Sequence, residues 1–212
     1  MFSQFSPNML KTYQACPKKY WFKYVEGLNV PISSLPFEKD KIIYALANYS
    51  LQGVNVTRLE DALNSQELEV WHILLENPFF QKKCFKSEYQ LSCKVGDFWV
   101  GGRLDAVVFD EENYFILDYK TGSIPKSPEI DYQTMVYLIC LDRALAGKYD
   151  KLSFVYINLK DRNNYVIEFN QQLKNEYEKR LVEICKQINS DTMYKCNSEN
   201  CAKCEYKKIC AN

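Results

Sequence analysis

Residues 88–120 read EYQLSCKVGDFWVGGRLDAVVFDEENYFILDYK. Glu88 to Val95 and Phe98 to Phe109 are strand-like runs that flank Gly96-Asp97, a two-residue hairpin signal. Asp110-Glu111-Glu112-Asn113 then turns the chain into a third strand, Tyr114 to Tyr119. Three consecutive strands predict a meander, and its later strands carry acids. Asp105 follows the pair Gly101-Gly102, and Asp118 closes the third strand two residues before Lys120. Side chains alternate along a strand, so Asp118 and Lys120 share one face and Tyr119 points to the other. If the neighbouring strands align, Asp105 lies beside Asp118.

Outward from the meander the pattern is helical. Ser6-Pro7 is an N-cap followed by a favoured first helical residue, and Leu10, Tyr13, Pro17, Tyr20 or Trp21, and Tyr24 trace an apolar face that Pro17 breaks into two short helices. Residues 27–40, with Gly27, Pro31 and Pro36, read as a loop, and a short helix is expected from Lys39 to Ser50. Thr57 to Glu60 fits a capping box that opens a helix to about Glu76. Beyond the meander, Ser127-Pro128 opens a helix that stops at Gly147, followed by strands at Leu152–Leu159 and Tyr165–Phe169 and a last helix from Gln172 to Asn189. The fold class is α/β. One unit is expected over 1–212, made of an N-terminal helical segment (1–50), a core (51–170), and a C-terminal helix with a cysteine tail (171–212).

Composition narrows the class further. A chain of 212 residues suits one α/β domain, and 47% hydrophobic residues with 7 Gly and 7 Pro exclude disordered and collagen-like chains. With 27 basic side chains against 27 acidic ones, binding of nucleic acid by bulk charge is excluded, although a local patch is not. The N-terminus lacks a basic stretch followed by an apolar one, and no run of about 18 apolar residues exists, so neither a signal peptide nor a membrane span is expected. The expected setting is cytoplasmic and reducing, where clustered cysteines are metal ligands or small hydrophobes rather than cross-links. Nine cysteines stand against one histidine, His72, which leaves carboxylates, Lys and Tyr to carry any catalysis.

Two carboxylates held together repel unless a cation joins them, and oxygen ligands of this kind suit Mg²⁺ or Mn²⁺. Lys120 beside such an ion can orient or deprotonate a water and stabilise developing charge. The same spacing also fits a plain surface ion pair between Asp118 and Lys120.

GGRLD (101–105), ILDYKTG (116–122) and then a helix bearing Gln133-x-x-x-Tyr137 resemble the RecB-type branch of the PD-(D/E)XK nucleases. The resemblance implies a restriction-endonuclease-like core of helix, three-strand meander, helix and strands, with a mixed sheet flanked by helices. It implies Mg²⁺ or Mn²⁺ ligation by Asp105, Asp118 and the main-chain carbonyl of Tyr119, with Lys120 acting on the attacking water. Gln133 and Tyr137, one helical turn apart, would align the substrate strand. Glu88 matches an acid often present in this branch, either linked to the metal or paired with Arg103. Relatives carry a histidine in an early helix; in Asp40-Lys41-Ile42-Ile43-Tyr44-Ala45-Leu46 that place holds Tyr44, while His72 reads as a partly exposed helix residue. The implied activity is a metal-dependent DNA nuclease, an exonuclease working at DNA ends or on single strands. A DNA-binding or scaffold module that has lost its metal is the alternative.

Cys201-Ala202-Lys203-Cys204 and Cys210 form C-x₂-C-x₅-C, a metal signature that needs a fourth ligand. Spacing leaves two candidates, Cys196 for a local zinc knuckle and Cys16 for a link between the chain ends. RecB, AddB and CRISPR-associated exonuclease relatives show a Y-x-x-C-P segment and a C-terminal C-x₂-C-x₅-C segment that together hold a 4Fe-4S cluster. Thr12 to Pro17 and Cys201 to Cys210 resemble both halves, which implies Cys16, Cys201, Cys204 and Cys210 as ligands of a structural cluster. Cys84, Cys93, Cys140 and Cys185 lie in apolar patterns and read as buried thiols. Partners implied by the resemblance are DNA and the proteins of a recombination-repair or CRISPR adaptation complex. Lys18, Lys19 and Lys23 interleave with aromatics and, with Lys207-Lys208, form a candidate single-strand patch; equally, they form the solvated edge of a buried face.

Overall fold

A computed structural model describes residues 4–30 and 35–210, the side chains of 35–40 and 203 excepted. The meander forms, with its first strand starting five residues before the expected Glu88. Strand β1 (Lys83–Val95) turns through Gly96, at φ +57°, into antiparallel β2 (Phe98–Asp110), and β3 (Asn113–Lys120) runs antiparallel to β2. Strand β4 (Lys151–Asn158) joins β3 in parallel and β5 (Asn163–Glu168) closes the sheet, in the order β1-β2-β3-β4-β5.

Helix α1 (Pro7–Ala15) starts where Ser6 Oγ accepts the Met9 N–H, and Pro17 separates it from α2 (Pro17–Tyr20), which runs on as a π-helical turn over Trp21–Val25. Helix α3 (Leu35–Leu51) begins earlier than the expected Lys39. Pro36 falls in its first turn, where a missing N–H is harmless, so the proline opens the helix instead of extending the loop. The helix expected from Thr57 to Glu76 is two, α4 (Thr57–Glu60) and α5 (Ser65–Leu75). The capping box belongs to Asn64, whose side chain accepts the Gln66 and Glu67 N–H groups while Glu67 accepts the Asn64 N–H. Asn is poor inside a helix and strong as a cap, so it resets the start.

Helix α6 (Tyr132–Leu145) supplies the crossover between the parallel strands β3 and β4. Asp131, not Ser127, caps it; Pro128–Ile130 form only a 3-10 turn, and the helix stops at Ala146 and Gly147, both at positive φ. Helix α7 (Gln171–Ser190) is followed by a 3-10 turn (Ser198–Lys203) and α8 (Lys207–Cys210).

Helices α1, α6 and α7 cover one sheet face, packing Tyr13, Met135, Leu138, Ile139 and Leu181 onto Leu91, Leu104, Ile116 and Phe154. On the other face Ile43 and Leu46 of α3 and Trp71 and Leu74 of α5 meet Val108, Leu117, Tyr119, Val155 and Ile157. Strands β3 and β4 are covered on both faces, which explains their unbroken apolar runs. Among the described residues no helix is long and apolar enough to cross a membrane.

The glycine pair before Asp105 has a steric cause. A Cβ on Gly101 would lie 2.3 Å from the Leu91 carbonyl oxygen, and one on Gly102 would lie 3.0 Å from the Tyr137 ring and hydroxyl. Phe5 pairs beside this stretch, taking the Gly101 N–H on its carbonyl and donating its own N–H to Trp99.

Candidate active site

The β2–β3 ladder begins at Ala106↔Leu117, so Asp105 and Asp118 flank its open end as adjacent residues of neighbouring strands. The Tyr119 N–H donates to Asp105 Oδ2 at 3.3 Å, which turns that carboxylate toward the third strand. Asp118 is 2% exposed, with its Oδ2 2.6 Å from Lys120 Nζ. Tyr119 points the opposite way, into the core beneath α3 and α5. The alternation read from the sequence is what separates these three side chains.

Helix α6 completes the floor. Asp131 accepts the Gln133 N–H, is held by Lys11 at 2.8 Å, and aims Gln133, whose Nε2 donates to Asp118 Oδ1. Tyr137, one turn on, stays buried and donates to the Arg103 carbonyl at 2.8 Å. The structure therefore brings Gln133 to the carboxylates and sets Tyr137 beneath Gly102 as a brace. Glu88 stands opposite Asp105 between the pairs Ser87↔Ala106 and Tyr89↔Leu104 and ion-pairs with Arg103 at 2.9 Å. Its φ of +47° is a strained conformation for a non-glycine residue, of a kind that concentrates at functional sites.

From α3, Tyr44 donates its hydroxyl to the Tyr119 carbonyl at 2.6 Å. Lys41, Tyr44, Ala45 and Asn48 join Asn8, Glu88, Arg103, the Asp105–Asp118 pair, Lys120 and Gln133 in lining one cleft of about 760 Å³. Sequence reading missed Lys11, Asp131, Lys41 and Asn48. The three- and four-residue steps Lys41, Tyr44, Asn48 were a readable signal that one face of α3 meets the site; the arrival of Lys11 depends on packing between distant segments. His72 lies exposed on α5, outside the cleft.

Burial and the neighbouring Asp118 charge push the Asp105 carboxyl up to about 8, against the pull of Lys120. Asp118 is likewise raised by burial, with Lys120 opposing. Two such carboxylates are under charge stress that a hard divalent cation relieves, and two carboxylate donors with water completing the shell suit Mg²⁺ or Mn²⁺. Among the described residues no group of three or more His, Cys, Asp or Glu side chains is arranged to hold a metal ion. Glu88 is committed to Arg103, so the cleft's own offer is two carboxylates.

A second cavity, of about 460 Å³, is lined by Cys16, Cys196, Cys201, Cys204 and Cys210 together with Lys19, Phe22, Tyr206 and Lys207. Both halves of the cysteine pattern thus meet, although their sulfurs form no assembled metal-ligand group among the described residues. Cys16 is buried, its Sγ accepting the Lys19 N–H at 3.5 Å and the Asn197 N–H at 3.4 Å. The Asn197 and Asn200 amides both donate to the Ala15 carbonyl, so polar bonds tie the two chain ends around the thiols. Cys93, Cys140 and Cys185 are buried as expected, whereas Cys84 is partly exposed.

In the candidate strand-binding patch two of the lysines are already engaged. Lys19 pairs with Glu205 at 2.8 Å, and Lys18 sits 4.1 Å from the Trp21 ring centre.

Comparison with known proteins bears on this geometry. In the solved structure of a candidate exonuclease from Eubacterium rectale the same fold recurs, with a TM-score of 0.58 at 9% identity, covering 96% of this chain and 88% of that one. The RecB subunit of the RecBCD enzyme of Borreliella burgdorferi is 30% identical over 115 residues, 52% of this chain and 10% of that subunit's length. The family model of the PD-(D/E)XK nuclease superfamily matches residues 56–211, a span that contains Asp105, Asp118, Lys120 and Gln133. With its mixed five-strand sheet flanked by helices, a restriction-endonuclease-like α/β fold, the chain belongs to the PD-(D/E)XK nuclease superfamily.

Proposed function

We propose that the chain is a metal-dependent deoxyribonuclease that hydrolyses phosphodiester bonds at DNA ends or in single strands. The observation that carries this reading is the adjacency of Asp105 and Asp118 with Lys120 and Gln133 both bonded to Asp118. Asp105 and Asp118, with the Tyr119 carbonyl, would hold Mg²⁺ or Mn²⁺. The bound ion would supply Lewis-acid charge at the phosphoryl oxygens. Lys120 steers the attacking water, Gln133 fixes the Asp118 carboxylate, and Lys41 at the cleft wall meets backbone phosphates.

Cys16, Cys201, Cys204 and Cys210 would hold a 4Fe-4S cluster; the observation supporting it is that all four line one cavity closed by both chain ends. Its role is to clip the N-terminal helices to the tail over the core, closing a long loop. A zinc ion using Cys196 is the alternative occupant. The nuclease family match and the likeness to a RecB subunit support DNA as substrate; a recombination-repair complex and a cytoplasmic setting are part of the same proposal.

A second reading, a DNA-binding module with weak catalysis, is favoured by one observation: the Tyr44 hydroxyl already occupies the Tyr119 carbonyl. Cleavage of end-labelled single- and double-stranded DNA with Mg²⁺ or Mn²⁺, by wild type, Asp118→Ala and Lys120→Ala, separates the two. Cleavage lost in both variants supports the nuclease; DNA binding without cleavage by wild type supports the module.

A further inference from the structure

The thiol cavity holds five cysteines where a four-ligand centre uses four. Cys196 is the exposed one, in the irregular segment between α7 and the 3-10 turn, and its Sγ lies 3.6 Å from that of Cys201 and 3.7 Å from that of Cys210. A disulfide spans about 2.0 Å, so closure asks a sulfur displacement of about 1.6 Å, within reach of side-chain rotation in a segment outside regular structure. Cys16 is in the opposite situation, buried and held by two backbone N–H groups.

We propose that Cys196 is the disulfide partner of Cys201 in the metal-free cavity, and that this bond blocks loading of the cavity until it is reduced. The blocking step rests on the reading that the cavity holds a metal centre through Cys201; the disulfide itself does not. The oxidant is a small disulfide of the glutathione type. The Cys196 thiolate attacks one of its sulfurs and releases the first thiol, and the Cys201 thiolate then attacks Cys196 Sγ and releases the second. Two electrons and two protons pass from the two cysteines to the reagent, which leaves as two thiols. Exposure selects Cys196 as the entry thiol, and Cys201, at 3.6 Å against 3.7 Å for Cys210, is the nearer of its two partners. Cys93 and Cys140 lie closer, at 3.2 Å, but are 6% and 1% exposed and beyond the reagent's reach, so they serve as an internal control.

The test uses the full chain, stripped of metal by chelation under reduction and then treated with oxidised glutathione. Free thiols are alkylated and the peptides mapped by mass spectrometry. The expected result is a single Cys196–Cys201 link with the other seven of the nine cysteines alkylated. Cys196→Ser, an exposed substitution whose fold is checked by circular dichroism, should show no link, and Cys201→Ser should move the link to Cys210. A free Cys196 beside any other linked pair overturns the proposal, as does thiol loss in Cys196→Ser equal to wild type.

Loading is read on the same samples by adding iron with sulfide, or zinc, and measuring bound metal. Oxidised wild type should take up at most a tenth of what the re-reduced protein binds, with Cys196→Ser taking up iron and sulfide equally in both states. Equal uptake by oxidised and reduced wild type overturns the block. Uptake of neither metal in any state overturns the block and the metal-centre reading together, while the peptide map still decides the disulfide.

Discussion

The Tyr44 hydroxyl donates a 2.6 Å hydrogen bond to the main-chain carbonyl of Tyr119, the residue between Asp118 and Lys120. This ties α3 to the end of β3, and it sets a donor where the proposed metal centre wants an acceptor.

Tyr44→Phe should therefore free the carbonyl and tighten Mn²⁺ binding. A net hydrogen bond is worth about 1 kcal/mol, which sets the gain at about fivefold. Calorimetric titration of wild type and variant measures it. Unchanged affinity would remove the carbonyl from the ligand set.

The Asp105 carboxyl, pushed up from 3.8 to about 8, makes stability depend on pH. Its protonated form is the one the fold favours. Metal-free protein is thus at full strength below about pH 4 in this respect and loses stability as pH rises through about 8. Added Mg²⁺ should reverse the slope, because the cation binds the carboxylate and displaces the proton. Denaturation at several pH values with and without Mg²⁺ shows the effect, and Asp105→Asn should flatten the metal-free curve.

Gly101 and Gly102 should rank differently on substitution. A Cβ at 102 meets the Tyr137 ring and hydroxyl at 3.0 Å, and a small shift of that side chain weakens its bond to the Arg103 carbonyl, for a loss of about 1–3 kcal/mol. A Cβ at 101 meets the Leu91 carbonyl at 2.3 Å in a paired strand that has no room to yield. Urea denaturation should find Gly101→Ala the more damaging. Equal stability of the two variants would contradict this packing.

Asp131→Ala should lower stability and cleavage together. The cap on the Gln133 N–H is worth about 1 kcal/mol, and without it Gln133 no longer holds Asp118. Lys11→Ala, which removes only the partly exposed ion-pair partner of Asp131, should cost less in both assays.

Much of this arrangement was legible in the chain. Gly96-Asp97 and the acidic turn at 110–113 marked the meander because local turn chemistry decides hairpins, and alternation sent Asp118 and Lys120 one way and Tyr119 the other. Helix starts were less legible, because Asn64 against Thr57 and Asp131 against Ser127 are contests between similar caps that packing settles. The contributions of Lys11, Lys41 and Asn48 come from helices far along the chain and depend on how α1 and α3 lie on the sheet. The meeting of Cys16 with the tail was readable only because a resemblance paired the two segments.

The most direct test of the hydrolytic centre is the rate of Mn²⁺-dependent cleavage of end-labelled single-stranded DNA by wild type and by Lys120→Ala, with folding of both confirmed. A lysine that steers the attacking water should be worth about 10²-fold or more, so the variant's rate should fall by at least that factor. Equal rates for the two proteins would contradict the account.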